Sequence, residues 1–313
     1  MKAIILKQAG GVENLVVEEL PMPSPKKGEV LIKINAISIN PVDIKTRKGM
    51  SLYNKLRENE PVILGWDVSG EVIEAGEDAT AFEIGEEVFG MVNFPGHGNA
   101  YAEYVTAPVA HLADKPDQIT HQEAAASSLA ALTAWQVLMQ QAKVQSGERV
   151  LIHAAAGGVG HFGVQIAKYL GAYVIGTGSD ANYDFVKELG ADEYVDYNHE
   201  RFEEVIQNVD IVFDAVGGDN PKRSLDIIRG GGLLIAIAGG ITDEVKKLAE
   251  EKGVKAWAYL VQSNGDDMEQ LAELLEAGTI RPHISHEFSF DQIKEAHTQI
   301  ETGRTRGKIV ISM

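Results

Sequence analysis

Short β-branched runs separated by turn residues fill the first third of the chain. Residues 3–6, 30–37, 68–75, 87–92 and 101–106 carry Val, Ile, Leu and aromatic side chains, and Pro21, Pro23, Pro25, Gly28, Gly76 and Gly85 punctuate them. Runs bounded by residues that fix φ or permit positive φ predict a compact, mostly β unit. Near His121 the pattern changes: residues 123–141 are alanine-rich and set Ala126, Leu129, Leu132, Ala134 and Val137 at helical spacings. From residue 149 onward, apolar runs at 150–153, 173–176, 194–196, 211–215 and 233–238 alternate with amphipathic stretches at 159–170, 182–189, 202–209, 221–228 and 245–251. Strand and helix in strict alternation predict a parallel sheet with helices on both faces. A helix at 268–277 and a terminal strand at 307–312 follow. The expected architecture is α/β: a mostly β unit in 1–121, a doubly wound parallel-sheet unit in 122–260, and a return to the β unit in 261–313.

Composition narrows the function classes. With 313 residues the chain is long enough for two domains with separate cores. It carries 28 Lys and Arg against 46 Asp and Glu, a formal charge of −18, so its surface repels nucleic acid and anionic membrane, and neither is expected as a partner. There is no cysteine, which removes disulfides, thiolate nucleophiles, iron–sulfur clusters and every zinc site built on Cys. The longest apolar run, 233–238, is far short of a membrane span, and Met1 opens directly into strand-like sequence. These features predict a soluble, cytoplasmic protein.

The strongest motif is Gly158-x-Gly160-x-x-Gly163, between a predicted strand and a helix on which Phe162, Ile166, Ala167 and Leu170 share a face. That context is the one a dinucleotide fingerprint needs: glycines let the backbone approach a pyrophosphate, and the helix N-terminus offers unpaired N–H groups. Ala156, Gly157, Gly158, Val159 and Gly160 are therefore the candidate phosphate-binding residues.

The wider pattern Gly147-Glu148-x-x-Leu151-x-x-x-Ala155-Ala156-Gly157-Gly158-x-Gly160-x-x-x-x-Gln165-x-x-Lys168 resembles the signature of the quinone oxidoreductase (ζ-crystallin) group of medium-chain dehydrogenases/reductases. Asn40-Pro41-x-Asp43, Gly65-Trp66-Asp67-x-Ser69-Gly70, Ala100-Tyr101-Ala102-Glu103-Tyr104, Leu132-Thr133-Ala134-Trp135 and Gly303-Arg304-x-x-Gly307-Lys308-x-Val310 extend the resemblance over essentially the whole chain. It implies a GroES-like catalytic domain, an inserted Rossmann domain, a nicotinamide cofactor and a homodimer joined through the last Rossmann strand, here within residues 256–261. Zinc-dependent members place Cys and a His-Glu pair where Asn40 and Trp66-Asp67 stand, so neither a catalytic nor a structural zinc is expected. His283 and His286 read as loop histidines.

Counting about 20 residues beyond the glycine turn, where an NAD site places an acidic residue, lands on Ser179 and Asp180. Ser179 leaves room for a 2′-phosphate and Asp180 repels one. Ser179, Asn182 and Tyr197 offer hydrogen-bond donors, and together with the resemblance they favour NADPH. The resemblance also sets Thr133 at the nicotinamide end, Val216, Ala238 and Gly239 after later strands, and Lys308 as a residue reaching the cofactor. It makes Asn40 the polar residue facing nicotinamide and substrate. Tyr53 is a candidate proton donor, although some family members carry Tyr where Lys45 stands. Asp43 reads as a capping anchor. The expected activity is metal-independent hydride transfer from NADPH to a quinone or an α,β-unsaturated carbonyl, a small-molecule electrophile; the alternative is a non-catalytic NADPH-binding sensor or structural protein.

Overall fold

The computed structural model describes residues 1–313, and the chain divides into two compact units: Met1–Leu132 with Val261–Met313, and Thr133–Leu260. No helix is long and apolar enough to cross a membrane.

The first unit is built on a seven-stranded sheet. Its central strand, Glu29–Ile39, pairs antiparallel with Asp67–Ala75, Tyr104–Pro108 and Lys308–Ser312, while Glu87–Met91 and Leu112–Asp114 extend one side and Ile284–Ser289 the other. The central strand is buried at Val30, Leu31, Ile32, Ile34, Ala36, Ile37 and Ile39, which is why it accepts neighbours on both edges. Two registers position the chemistry: Ser38 lies opposite Asp67, and Ile309 lies opposite Ile39. The last strand thus carries Lys308 to the end of the central strand, next to Asn40. A small second sheet pairs Lys2–Leu6 with Leu15–Glu19.

Thr133–Leu260 holds six parallel strands in the spatial order Glu193–Asp196, Tyr173–Gly178, Arg149–Ile152, Val209–Asp214, Ile228–Ala236, Lys255–Ala258. Numbered within the unit, this is 3-2-1-4-5-6, the doubly wound order of a Rossmann sheet, whose ligands bind beyond the strand C-termini where the winding reverses. Leu151, Ile175, Val195, Val212 and Leu234 pack there against Phe202, Leu225, Val245 and Ala249.

Several expected elements differ. The single helix at 123–141 is three pieces: His121–Ala126, Leu129–Trp135 and a π-helical turn Gln136–Ala142. The break falls at Ser127 and Ser128, whose hydroxyls bond back to Glu123 O and Ala124 O at 2.8 and 3.3 Å, while the Leu129 N–H is taken by Asp67 Oδ1 at 2.8 Å. The first piece packs on the β sheet, so the unit boundary lies after Leu132 rather than at 121/122. The helices expected at 202–209 and 221–228 stop at Val205 and Ser224, because Val209 and Ile228 are drawn into strands. Leu15–Glu19, Leu112–Asp114 and Ile284–Ser289 are strands that periodicity missed.

Candidate functional site

In the Rossmann unit the first strand ends at Ile152 and the helix Gly160–Tyr169 starts from the glycine turn. Gly157 N donates to Ala154 O at 2.8 Å and His161 N to Gly157 O at 3.0 Å, which folds the turn under the helix N-terminus. A Cβ on Gly160 would stand 2.1 Å from Ala154 O and 2.9 Å from Ala155 Cα, so this position admits hydrogen only. At Gly163 a Cβ would meet the Phe213 and Ile152 side chains at 3.4–3.5 Å, an ordinary contact. Gly160, not Gly163, is the position that excludes a side chain.

At the end of the second strand, Ser179 O accepts the Tyr194 hydroxyl at 2.6 Å and Ser179 Oγ accepts Asn182 Nδ2 at 3.3 Å. Tyr197 N donates to Gly178 O at 3.1 Å, which brings the exposed Tyr197 ring to the same strand end. After the fourth strand, buried Asp214 accepts the N–H groups of Val216 and Gly217 at 3.2 and 2.9 Å, holding Val216 exposed. Burial raises the Asp214 pKa against those two donors. Gly217 and Gly239 both have positive φ, +75° and +72°, and the Gly217 Cα lies only 3.5 Å from where a Gly239 Cβ would be. The loops carrying Val216 and Ala238-Gly239 therefore meet backbone to backbone at the strand C-termini. Ala156, Gly157, Gly158, Val159, Gly160, Ser179, Asn182, Tyr197, Val216, Ala238 and Gly239 all lie in the loops or at the helix starts that follow those ends. Thr133 is buried on the helix Leu129–Trp135.

The β unit holds a buried polar cluster. Lys308 Nζ donates to Asn40 Oδ1 at 2.5 Å and to Ile39 O at 3.2 Å, and lies 3.6 Å from Asp67 Oδ2. That same Asp67 oxygen accepts Asn40 Nδ2 at 2.8 Å and Ser38 Oγ at 2.5 Å. Lys308 is 3 % exposed and Asp67 fully buried. Burial pushes the Asp67 pKa up and that of Lys308 down, and each charge opposes the other's shift. The Lys308 ammonium is held among Asn40, Ile39 O and Asp67. Asn40, itself buried, has its amide oriented at both ends, oxygen to Lys308 and nitrogen to Asp67. Asp67 and Ser38 were not among the expected site residues, and the only sequence signal for Ser38 is its two-residue offset from Asn40, which follows the strand end.

Behind the cluster, Asp43 Oδ2 accepts Asn40 N at 2.7 Å, which caps the helix Pro41–Arg47 as expected. Burial raises the Asp43 carboxyl to about 8, opposed by that backbone bond and reinforced by the Asp67 charge. Tyr101 OH lies 3.0 Å from His297 Nε2, and burial lowers His297 to about 3. Arg47, 1 % exposed, pairs with Glu301. Tyr53, the expected proton donor, opens the short helix Tyr53–Leu56, where its hydroxyl accepts Ala9 N at 3.3 Å.

The zinc positions of metal-dependent relatives do not fit a metal. Asn40 and Asp67 already hold the Lys308 ammonium, and buried Trp66 donates its indole N–H to Gly96 O at 2.8 Å and meets the Phe94 ring edge-on at 5.3 Å. The dinucleotide turn does fit its group: a cradle closed to any side chain, opening a ten-residue helix at the winding reversal.

Comparison with known proteins agrees with this geometry. Residues 26–117 match the alcohol dehydrogenase GroES-like domain family and residues 189–311 the zinc-binding dehydrogenase family. The chain is 33 % identical over 321 residues to a 2-methylene-furan-3-one reductase of Solanum lycopersicum, covering 99 % of this chain and 79 % of that protein. Among solved structures, the quinone oxidoreductase from Coxiella burnetii superposes with a TM-score of 0.95 at 39 % identity, covering 100 % of this chain and 99 % of that one. Escherichia coli quinone oxidoreductase complexed with NADPH gives 0.91 at 27 %, with both chains covered fully.

Proposed function

The chain belongs to the quinone oxidoreductase group of the medium-chain dehydrogenases/reductases, and from that premise we propose that it transfers a hydride from NADPH to a quinone or an α,β-unsaturated carbonyl without a metal. The observation that carries the metal-free reading is the ammonium of Lys308 between Asn40 and Asp67, where zinc-dependent relatives keep their metal ligands. When bound, NADPH supplies the hydride; the chain's own residues orient both reactants.

The N–H groups of residues 158–160 at the helix start receive the pyrophosphate, and Ser179, Asn182 and Tyr197 take the ribose end. Val216, Ala238 and Gly239 pack the adenosine, and Thr133 stands for the nicotinamide end. Asn40, locked by Lys308 and Asp67, presents a fixed edge rather than a rotating amide, so it costs little reorganisation when a substrate oxygen gains charge. The Tyr53 hydroxyl accepts from Ala9 N and keeps its own proton to donate to the reduced product. A second copy pairs along Lys255–Ala258, whose only neighbour in the sheet is Ile228–Ala236, and this dimer would give about twice the 33.9 kDa chain mass in light scattering. A cytoplasmic location remains part of the same proposal.

The test is NADPH oxidation by chelator-dialysed protein against a panel of quinones and enones. Turnover undiminished by the chelator supports the proposal. Cofactor binding with no turnover on any electrophile establishes the sensor alternative, and activity restored only by zinc overturns the metal-free reading.

A further inference from the structure

The ribose end of the Rossmann unit has no lysine or arginine ready for a 2′-phosphate. Lys187 Nζ donates to Asp192 O at 2.8 Å, and Arg201 is paired with Glu203 and Glu204. One cation source is placed differently. Two residues past Tyr197, whose N–H holds Gly178 O, the chain turns back so that His199 N donates to Asp196 O at 3.0 Å and His199 Nδ1 lies 2.6 Å from Asp196 Oδ2. The Nδ1 contact leaves Nε2 for a ligand, on a side chain that is 76 % exposed. The turn is pinned to the strand end that leads into Ser179, and the Asp180 carboxylate beside Ser179 acts on the imidazole through space.

We propose that His199 is the cofactor-specificity residue of this enzyme, donating from Nε2 to the 2′-phosphate of NADPH only when protonated, so that the preference for NADPH over NADH weakens as pH rises. The inference rests on the NADPH reading above. In neutral imidazole with Nδ1–H on Asp196, Nε2 is an acceptor and faces a phosphate with a lone pair; protonation makes it a charged donor. The groups facing His199 are Asp196 and Glu200 on its own turn and Asp180 after the second strand. The Asp196 hydrogen bond most, and then the charges of Asp196, Asp180 and Glu200, raise its pKa from the ordinary imidazole value, so the cation persists to higher pH than on a free histidine. With the cation lost, Asp180 and Asp196 are left facing the phosphate.

The sign is diagnostic, because the 2′-phosphate itself gains charge as pH rises through about 6. A site without a titrating cation holds or improves its NADPH preference on going from pH 6.5 to 8.5, whereas a site using His199 loses it. Calorimetric titration of the full chain with NADPH and with NADH, at both pH values, reads the ratio of affinities. We expect that ratio to fall about fivefold in the unmodified protein, the size of one exposed charge-assisted contact. His199→Gln should start lower and not fall, and His199→Arg should stay high at both pH values. If the unmodified protein and His199→Gln share one profile while NADPH still binds more tightly, the role of His199 is overturned and the NADPH reading stands. If NADH binds more tightly to all three proteins at both pH values, the NADPH reading itself fails.

Discussion

Gly160→Ala is expected to unfold at markedly lower denaturant than the unmodified protein and to lose measurable NADPH binding. The added methyl would sit 2.1 Å from Ala154 O, 2.8 Å from Ala154 C and 2.9 Å from Ala155 Cα. All three are backbone atoms of the strand-to-helix turn, so the strain cannot be relieved by a rotamer change. Overpacking against yielding side chains costs about 1–3 kcal/mol, and a clash with fixed backbone costs more. Opening the turn also disperses the N–H groups meant for the pyrophosphate, so stability and binding fall together. Gly163→Ala is the control: its methyl meets only side chains of Phe213 and Ile152 at contact distance, and near-normal stability and binding are expected. Equal unfolding midpoints for Gly160→Ala and the unmodified protein would remove the basis of the cradle.

The second large effect belongs to Lys308. Replacing it with Met removes the ammonium from a fully buried Asp67 and deprives Asn40 Oδ1 of its donor. Breaking a buried pair on one side costs about 3–5 kcal/mol, because the remaining charge has no partner. Lys308→Met should therefore destabilise by about that amount in urea and lower kcat at least tenfold as Asn40 loses its fixed orientation. Asp67→Asn alone strands the ammonium in the same way. The double variant Lys308→Met/Asp67→Asn removes both charges and should be more stable than the sum of the single losses predicts, by about 2 kcal/mol. Additive losses would show that Asp67 and Lys308 do not act as a pair.

Much of this was readable along the chain, and the parts that were not share one cause. The parallel sheet of the Rossmann unit and its glycine turn are local: strand runs, helix faces and the need for glycine at 160 are all set within some twenty residues. The Asn40 cluster is assembled by strand register, Ser38 opposite Asp67 and Ile309 opposite Ile39, with Asn40 and Lys308 separated by 268 positions in the sequence. Only its separate pieces were visible, so the contacts that join Lys308 to Asn40 and Asp67 were not. The helix at 123–141 erred for a smaller reason: its alanine spacing is helical throughout, but Ser127 and Ser128 bond back to the preceding turn and Asp67 captures the Leu129 N–H. The strand Leu15–Glu19, exposed at Val16 and Val17, lacks the burial pattern that marks the others.

Metal-free hydride transfer is tested most directly by following the hydrogen itself. Chelator-treated protein is given an enone and NADPH deuterated at C4 on the transferred face, and the product is examined by mass spectrometry and NMR. The account predicts one deuterium on the β-carbon for each NADPH consumed, with the α-hydrogen drawn from solvent. NADPH consumed without label in the product, or label transfer that requires added zinc, would contradict it.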